Sequence, residues 1–310
     1  MFELLLTNKK NGGASLNGYG LFSGGAVGAV LGGVVTTEKY RYSNDVVSEG
    51  TALSLARYFH ASAGNNTIGI IACGYVYNGS AKALGSTEKT QYSADVRTTG
   101  KALYVSQGLS AVSNVEVGVF SGGTDNNLYY LSTTRRYAYG TDTVLSGVAM
   151  SKRARGAATG NLTLGLFVGG TSDGATSSYL LKTDKYTYSA DSYTNGSNLA
   201  TKRYSCAAIG NRMLGVVIGG YDGVGNLSST EIYQYNTDSV SAGSSLFYNR
   251  REHAAAGNNQ FGIITGGSNG DYIAYTEKYE LDIHAISVAT FLSSPKFRHS
   301  GVSSTPGWSI

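Results

Sequence analysis

The 310-residue chain has 43 glycines and 24 tyrosines but only 2 prolines, and 14% of its residues are charged, which argues against a disordered chain and for strands joined by glycine turns rather than helices. A net charge of +4 is too small to announce a nucleic-acid or membrane partner, and no nucleic-acid partner is expected. Two cysteines, Cys73 and Cys206, cannot supply the disulfide framework of a small secreted domain.

The N-terminal MFELLLTNKKNGG has no basic region ahead of its short apolar run, so no signal peptide is expected, and residues 1–18 read as an extension outside the fold. Gly18 to Val35 is the least charged stretch and long enough to consider as a membrane span. Glycines interrupt it, however, and it contains a unit that recurs downstream, so no membrane span is expected. That unit ends in SGG and returns as CGY, SGG, VGG, IGG and TGG, placing Gly25, Gly74, Gly123, Gly170, Gly220 and Gly267 at spacings of 49, 49, 47, 50 and 47. The period falls in the range of propeller blades. Before each pair lies an apolar run such as YGLF or IGII, the pattern of a strand buried on both faces. After it come TTEKYRYSND and its five counterparts, which alternate with period two, so that tyrosine pairs such as Tyr40 with Tyr42 and Tyr186 with Tyr188 share one face of a third strand and fill the core. The Ser/Asn/Thr-Asp close makes a hairpin turn into a fourth strand.

A last piece, ARYFHASAG and its relatives KRARGAATG, KRYSCAAIG and NRREHAAAG, ends in small residues suited to an innermost strand where blades converge. Four strands per copy and six copies predict an all-β, six-bladed β-propeller of four-stranded antiparallel blades. The chain enters at a second strand near Tyr19, and its last copy supplies only an innermost strand from His299 to about Ser303. Pairing that strand with the N-terminal blade would close the ring and remove a free sheet edge. The propeller is expected to span residues 19–303, leaving 304–310 as a tail.

A double glycine ending strand two, Glu-x-Tyr on strand three and Arg-x-x-His-Ala-Ala entering strand one resemble the kelch repeat across Tyr19 to Ser303. The outer-strand tryptophan of that pattern is replaced by Leu53, Leu199 and Leu246, and Cys73 breaks one double glycine. The variant with TTEKYxYSxD and AAAGN is similar to degenerate kelch-like propellers of tailed bacteriophages and bacteria. That resemblance implies a non-enzymatic binding or assembly module: a phage virion structural protein of tail or capsid, made in the host cytoplasm, present in multiple copies, and in contact with other virion proteins or a host-surface glycan. A glycan-binding module is the alternative. A metal-dependent oxidase is a third reading, since kelch-like propellers include the galactose-oxidase class.

Residues with possible chemistry recur at repeat positions. Arg57, Arg153, Arg203, Arg250 and Lys296 enter the innermost strands, with Ser106 as the gap, and are expected either to ring a channel mouth and focus field toward anions or to bond neighbouring backbone. His60, His253 and His299 share one slot with Cys206 on adjacent blades, a weak candidate for zinc or copper; no cofactor is expected. Antiparallel strand parity puts the variable loops between strands two and three on the side of the basic slot. Tyr75, Tyr77, Tyr129, Tyr130, Tyr221 and Tyr272, beside Asp125, Asp173, Asp222 and Asp271, make that face the expected partner-binding surface.

Overall fold

The computed structural model describes residues 18–28, 33–77 and 81–307. Six four-stranded antiparallel sheets stand around one axis. In the first blade the strands run Ser300–Ser303, Tyr19–Ser23, Thr37–Arg41 and Val46–Gly50, innermost to outermost; in the second they are Ala61–Gly64, Ile68–Ala72, Thr87–Gln91 and Val96–Gly100. The C-terminal strand lies against the N-terminal one with Gly20 opposite Ser303 and Ser23 opposite Ser300, so the ring closes as the repeat register predicts. No helix among the described residues is long and apolar enough to cross a membrane. Bridges such as Tyr58 with Tyr75 and Tyr204 with Tyr221 join the links between blades to the strand two to three loops, placing both on one side, called upper below.

Side chains from facing sheets fill the wedges between blades. Phe22, Tyr40 and Tyr42 of blade one meet Ala254, Ala256, Phe261 and Ile263 of blade six in one buried cluster. Tyr40 and its counterparts Tyr137, Tyr186, Tyr233 and Tyr279 are fully buried, whereas blade two has Thr90 in that place. Each ring needs a partner for its hydroxyl. Tyr40 and Tyr186 donate to Asp45 and Asp191 of their own turns at 2.8 and 2.6 Å. The same aspartates bind the next blade round: Lys39–Asp95 is 2.6 Å, Lys89–Asp142 2.9 Å, Arg136–Asp191 3.6 Å, Lys185–Asp238 2.5 Å and Lys278–Asp45 3.5 Å. At the sixth junction both partners change together, to Ile232 and His284.

At the lower end the tail departs from expectation. Ser304 exchanges backbone and side-chain hydrogen bonds with Tyr19, and Ser304, Pro306 and Gly307 are buried. Gly307 crosses to blade five, where its backbone packs so closely on the Gly210 carbonyl that no Cβ would fit. Residues 304–307 therefore cover the lower end of the axial channel instead of standing outside the blades; residues 308–310 and most of the N-terminal extension lie outside the described residues.

Candidate functional site at the upper face

The basic slot does not ring the mouth. Arg57, Arg153, Arg203, Arg250 and Lys296 are each 0–1% exposed and run outward inside their own blades. Arg203 donates to the carbonyls of Gly219 and Ser229, both at 3.0 Å, and to Glu231 at 2.6 Å. Arg57 does the same with Cys73, Ser86 and Glu88, all at 3.0 Å. Arg250 pairs with Glu277 at 2.5 Å, and Arg153 and Lys296 pair with Asp184 and Glu38. The physical reason is the turn after strand two: the double glycine folds back with positive φ and leaves inward-facing carbonyls that need donors, which a guanidinium fork supplies. Blade three shows the rule by exception. Its slot is Ser106, its strand-three position is Arg135 instead of an acid, and the Tyr104 hydroxyl lies 2.8 Å from the Gly122 carbonyl oxygen and 3.2 Å from that of Thr133. The acid on strand three (Glu38, Glu88, Asp184, Glu231, Glu277) is thus present wherever the slot is cationic, a covariation inside the repeat that sequence reasoning overlooked.

The histidines pack between blades. His60 donates from Nε2 to the Ser23 carbonyl of blade one at 2.9 Å. Its ring lies against Gly24, where a Cβ would fall 2.7 Å from Cε1; His253 and His299 lie likewise against Gly219 and Gly266. Burial pushes His60 and His253 down to about 3, and the neighbouring Arg57 and Arg250 add to the effect, so these rings are neutral. Burial pushes the Cys206 thiol up to about 11. His60, His253, His299 and Cys206 all border the axial cavity. Among the described residues, however, no three His, Cys, Asp or Glu side chains are placed to hold a metal ion: all three rings are packed between blades against a glycine, and His60 is also held by its carbonyl contact.

One residue earlier in each copy stand Phe59, Gly108, Arg155, Ser205, Glu252 and Arg298, all with left-handed backbone at φ between 54° and 65°. Each amide donates to the carbonyl of the residue one blade back, at 2.6 to 2.9 Å, and the series closes on itself through Phe59 and Arg298. This ring of six backbone hydrogen bonds encircles the mouth and offsets the local strain of its non-glycine members. Beneath it lies a cavity of about 90 Å³. Above it, the guanidinium carbons of Arg155 and Arg298 lie 4.3 and 4.5 Å from the centre of the Phe59 ring, and Arg298 is paired with Glu252 at 3.0 Å.

An outer collar carries the loop aromatics. Tyr75 packs on Tyr58 at 5.3 Å between ring centres, Tyr221 on Tyr204 at 6.3 Å, and Tyr272 stacks on Phe297 at 4.3 Å. Tyr130 bridges back to Thr124 and is partly buried. Tyr77 and Tyr129 project from the surface, the latter beside exposed Leu128. The loop aspartates are mostly turn formers: Asp125 accepts from the amides of Asn127 and Tyr129, Asp173 from Ala175, and Asp222 from Val224 and Gly225. These amides hold the Asp222 carboxyl below the usual carboxylate range. Sequence reasoning did not single out Phe59, Arg155 or Glu252, because they belong to a slot whose residue type changes from blade to blade while only its backbone shape recurs, nor Tyr204 in the position before that slot and Tyr179 in a variable loop. No protein-family model matches this chain, and no curated protein matches it.

Proposed function

We propose that this propeller is a kelch-like, non-enzymatic binding and assembly module, a structural component of a phage virion in tail or capsid that docks by its upper face to another virion protein or to the host surface. The observation that carries the reading is an asymmetry of roles. The recurring cations, histidines and turn aspartates are taken up in holding blades together, while the loops that vary between copies put Tyr77, Leu128 and Tyr129 into solvent on one side. A rigid scaffold with variable loops on one face is the usual architecture of a recognition surface. The style of the repeat, TTEKYxYSxD with AAAGN, supports the virion and kelch-like parts of the reading.

Cryo-EM of native particles from the source tests it. Density for the propeller as a repeated subunit with its upper loops against a neighbour is the expected result; a free monomer carrying stoichiometric copper or zinc would overturn it in favour of the oxidase reading. The tyrosine-rich collar favours a second reading, a saccharide-binding face, which a protein in contact with a host surface would also need.

A further inference from the structure

We propose that the upper mouth binds an acidic saccharide on the cluster of Tyr179, Tyr204 and Tyr221, with Arg155 and Arg251, which flank that cluster, supplying the positive charge that meets the sugar's carboxylate. This rests on the reading of the upper face as the binding face. Around the mouth Arg155, Tyr204, Tyr221 and Arg251 follow one another in contact. The Arg155 guanidinium carbon is 5.7 Å from the Tyr204 ring centre with Nη1 3.3 Å from the Tyr204 hydroxyl, Tyr204 and Tyr221 are 6.3 Å apart, and the Arg251 guanidinium carbon is 4.9 Å from the Tyr221 ring centre. Tyr179 stacks on Tyr204 at 4.7 Å and feels both arginines. All five side chains are partly exposed.

The arginines are the unusual part. Every basic-slot cation has a carboxylate, and at the mouth Arg298 has Glu252. Arg155 and Arg251 have none among the described residues. The nearest loop carboxylates, Asp173 and Asp222, are turned into their own loop amides. Two guanidinium groups held on aromatic faces without a counter-charge flank the tyrosines with positive charge available to an oxyanion. Just below, Ser205 borders the axial cavity with its Oγ buried and without a hydrogen-bond partner among the described residues.

The surroundings favour a sugar over a peptide. The six mouth positions and the six collar positions preceding them hold no aliphatic side chain larger than alanine, so nothing there seats the leucines and valines of a protein partner. Phenol rings instead offer flat faces to a pyranose and hydroxyls to its hydroxyls.

The test is calorimetric titration of the full chain with uronate- or sialate-containing oligosaccharides, with the same oligosaccharides after reduction of the carboxylate to an alcohol, and with acidic peptides. Binding of the acid form, weakened at least about tenfold by carboxylate reduction and by Arg155→Gln or Arg251→Gln at unchanged melting temperature, is the expected result. Arg251→Lys should retain part of the affinity. Equal binding of acid and reduced forms, binding of acidic peptides alone, or no binding to any of them would overturn the proposal. A particle contact that survives both arginine changes but is lost in Tyr77→Ala or Tyr129→Ala would leave the assembly role standing, so the two ideas fail separately.

Discussion

Arg203 and Glu231 meet at 2.6 Å with side chains 0% and 6% exposed, so removing either partner strands a buried charge. Arg203→Met should lower unfolding free energy by about 3–5 kcal/mol, read by chemical denaturation, since the Gly219 and Ser229 carbonyls also lose their donor. In blade three the same carbonyls are met by hydroxyls, of Tyr104, Ser106 and Ser121, so Tyr104→Phe leaves each with a donor and should cost only about 1 kcal/mol. The histidines make stability pH-dependent. His60 and His253 stay neutral in the folded protein down to about pH 3 but protonate near 6.5 once unfolded. The unfolded chain therefore binds more protons across that window, and stability, full above pH 6.5, falls as pH drops toward 3. Melting temperatures between pH 7 and pH 4 should show the loss, and His60→Asn with His253→Asn should reduce it, the remainder belonging to His299, which burial also holds well below its ordinary value. Both cysteines are buried, with Cys73 pushed up to about 12 and Cys206 to about 11 by desolvation. Iodoacetamide should modify neither thiol in the native protein at pH 8 and both after denaturation.

The double glycine is the element on which several contacts converge. The amide of its second residue donates to the carbonyl of the next blade's basic-slot residue, as Gly220 does to Arg250 at 2.8 Å. Gly220 has φ +100°, and a Cβ there would meet the Tyr204 carbonyl at 2.9 Å. Gly220→Ala should therefore destabilise by more than the ordinary cost of about 1 kcal/mol for a left-handed alanine, a difference that denaturant titration resolves. The closing strand is the other critical element. Without Ser300–Ser303, the strand Tyr19–Ser23 presents an unpaired edge and the lower channel loses its cover. A chain ending at Arg298 should self-associate or fail to fold, measured by analytical ultracentrifugation against the full chain.

At the scale of the whole molecule, three concentric sets of contacts hold the disc: the backbone ring at the mouth, the buried ion pairs within blades, and the turn aspartates that join each blade to the next. All three lie in the repeated parts of the chain, so the loops of the upper face are free to change without loss of the fold. Tyr77→Ala and Tyr129→Ala should leave the melting temperature within about 1–2 °C of the parent, because both rings lie mostly in solvent. Their effect should appear in partner binding alone.

The period of 47 to 50 residues, the apolar run before each glycine pair and the lone C-terminal strand determined blade number, strand order and the manner of closure. These are local and repetitive features, and six copies of a weak pattern make a strong one. Where the charges point was decided only by tertiary structure. Arg57 and Arg155 belong to the same type and lie near equivalent places, yet one is enclosed beside Glu88 and the other stands at the mouth over Phe59. The difference depends on carbonyls left open by a turn some thirty residues away and on a left-handed residue whose neighbour lies one blade round the ring. Neither distance is visible along the chain: the first is created when one blade folds on itself, the second when neighbouring blades pack side by side.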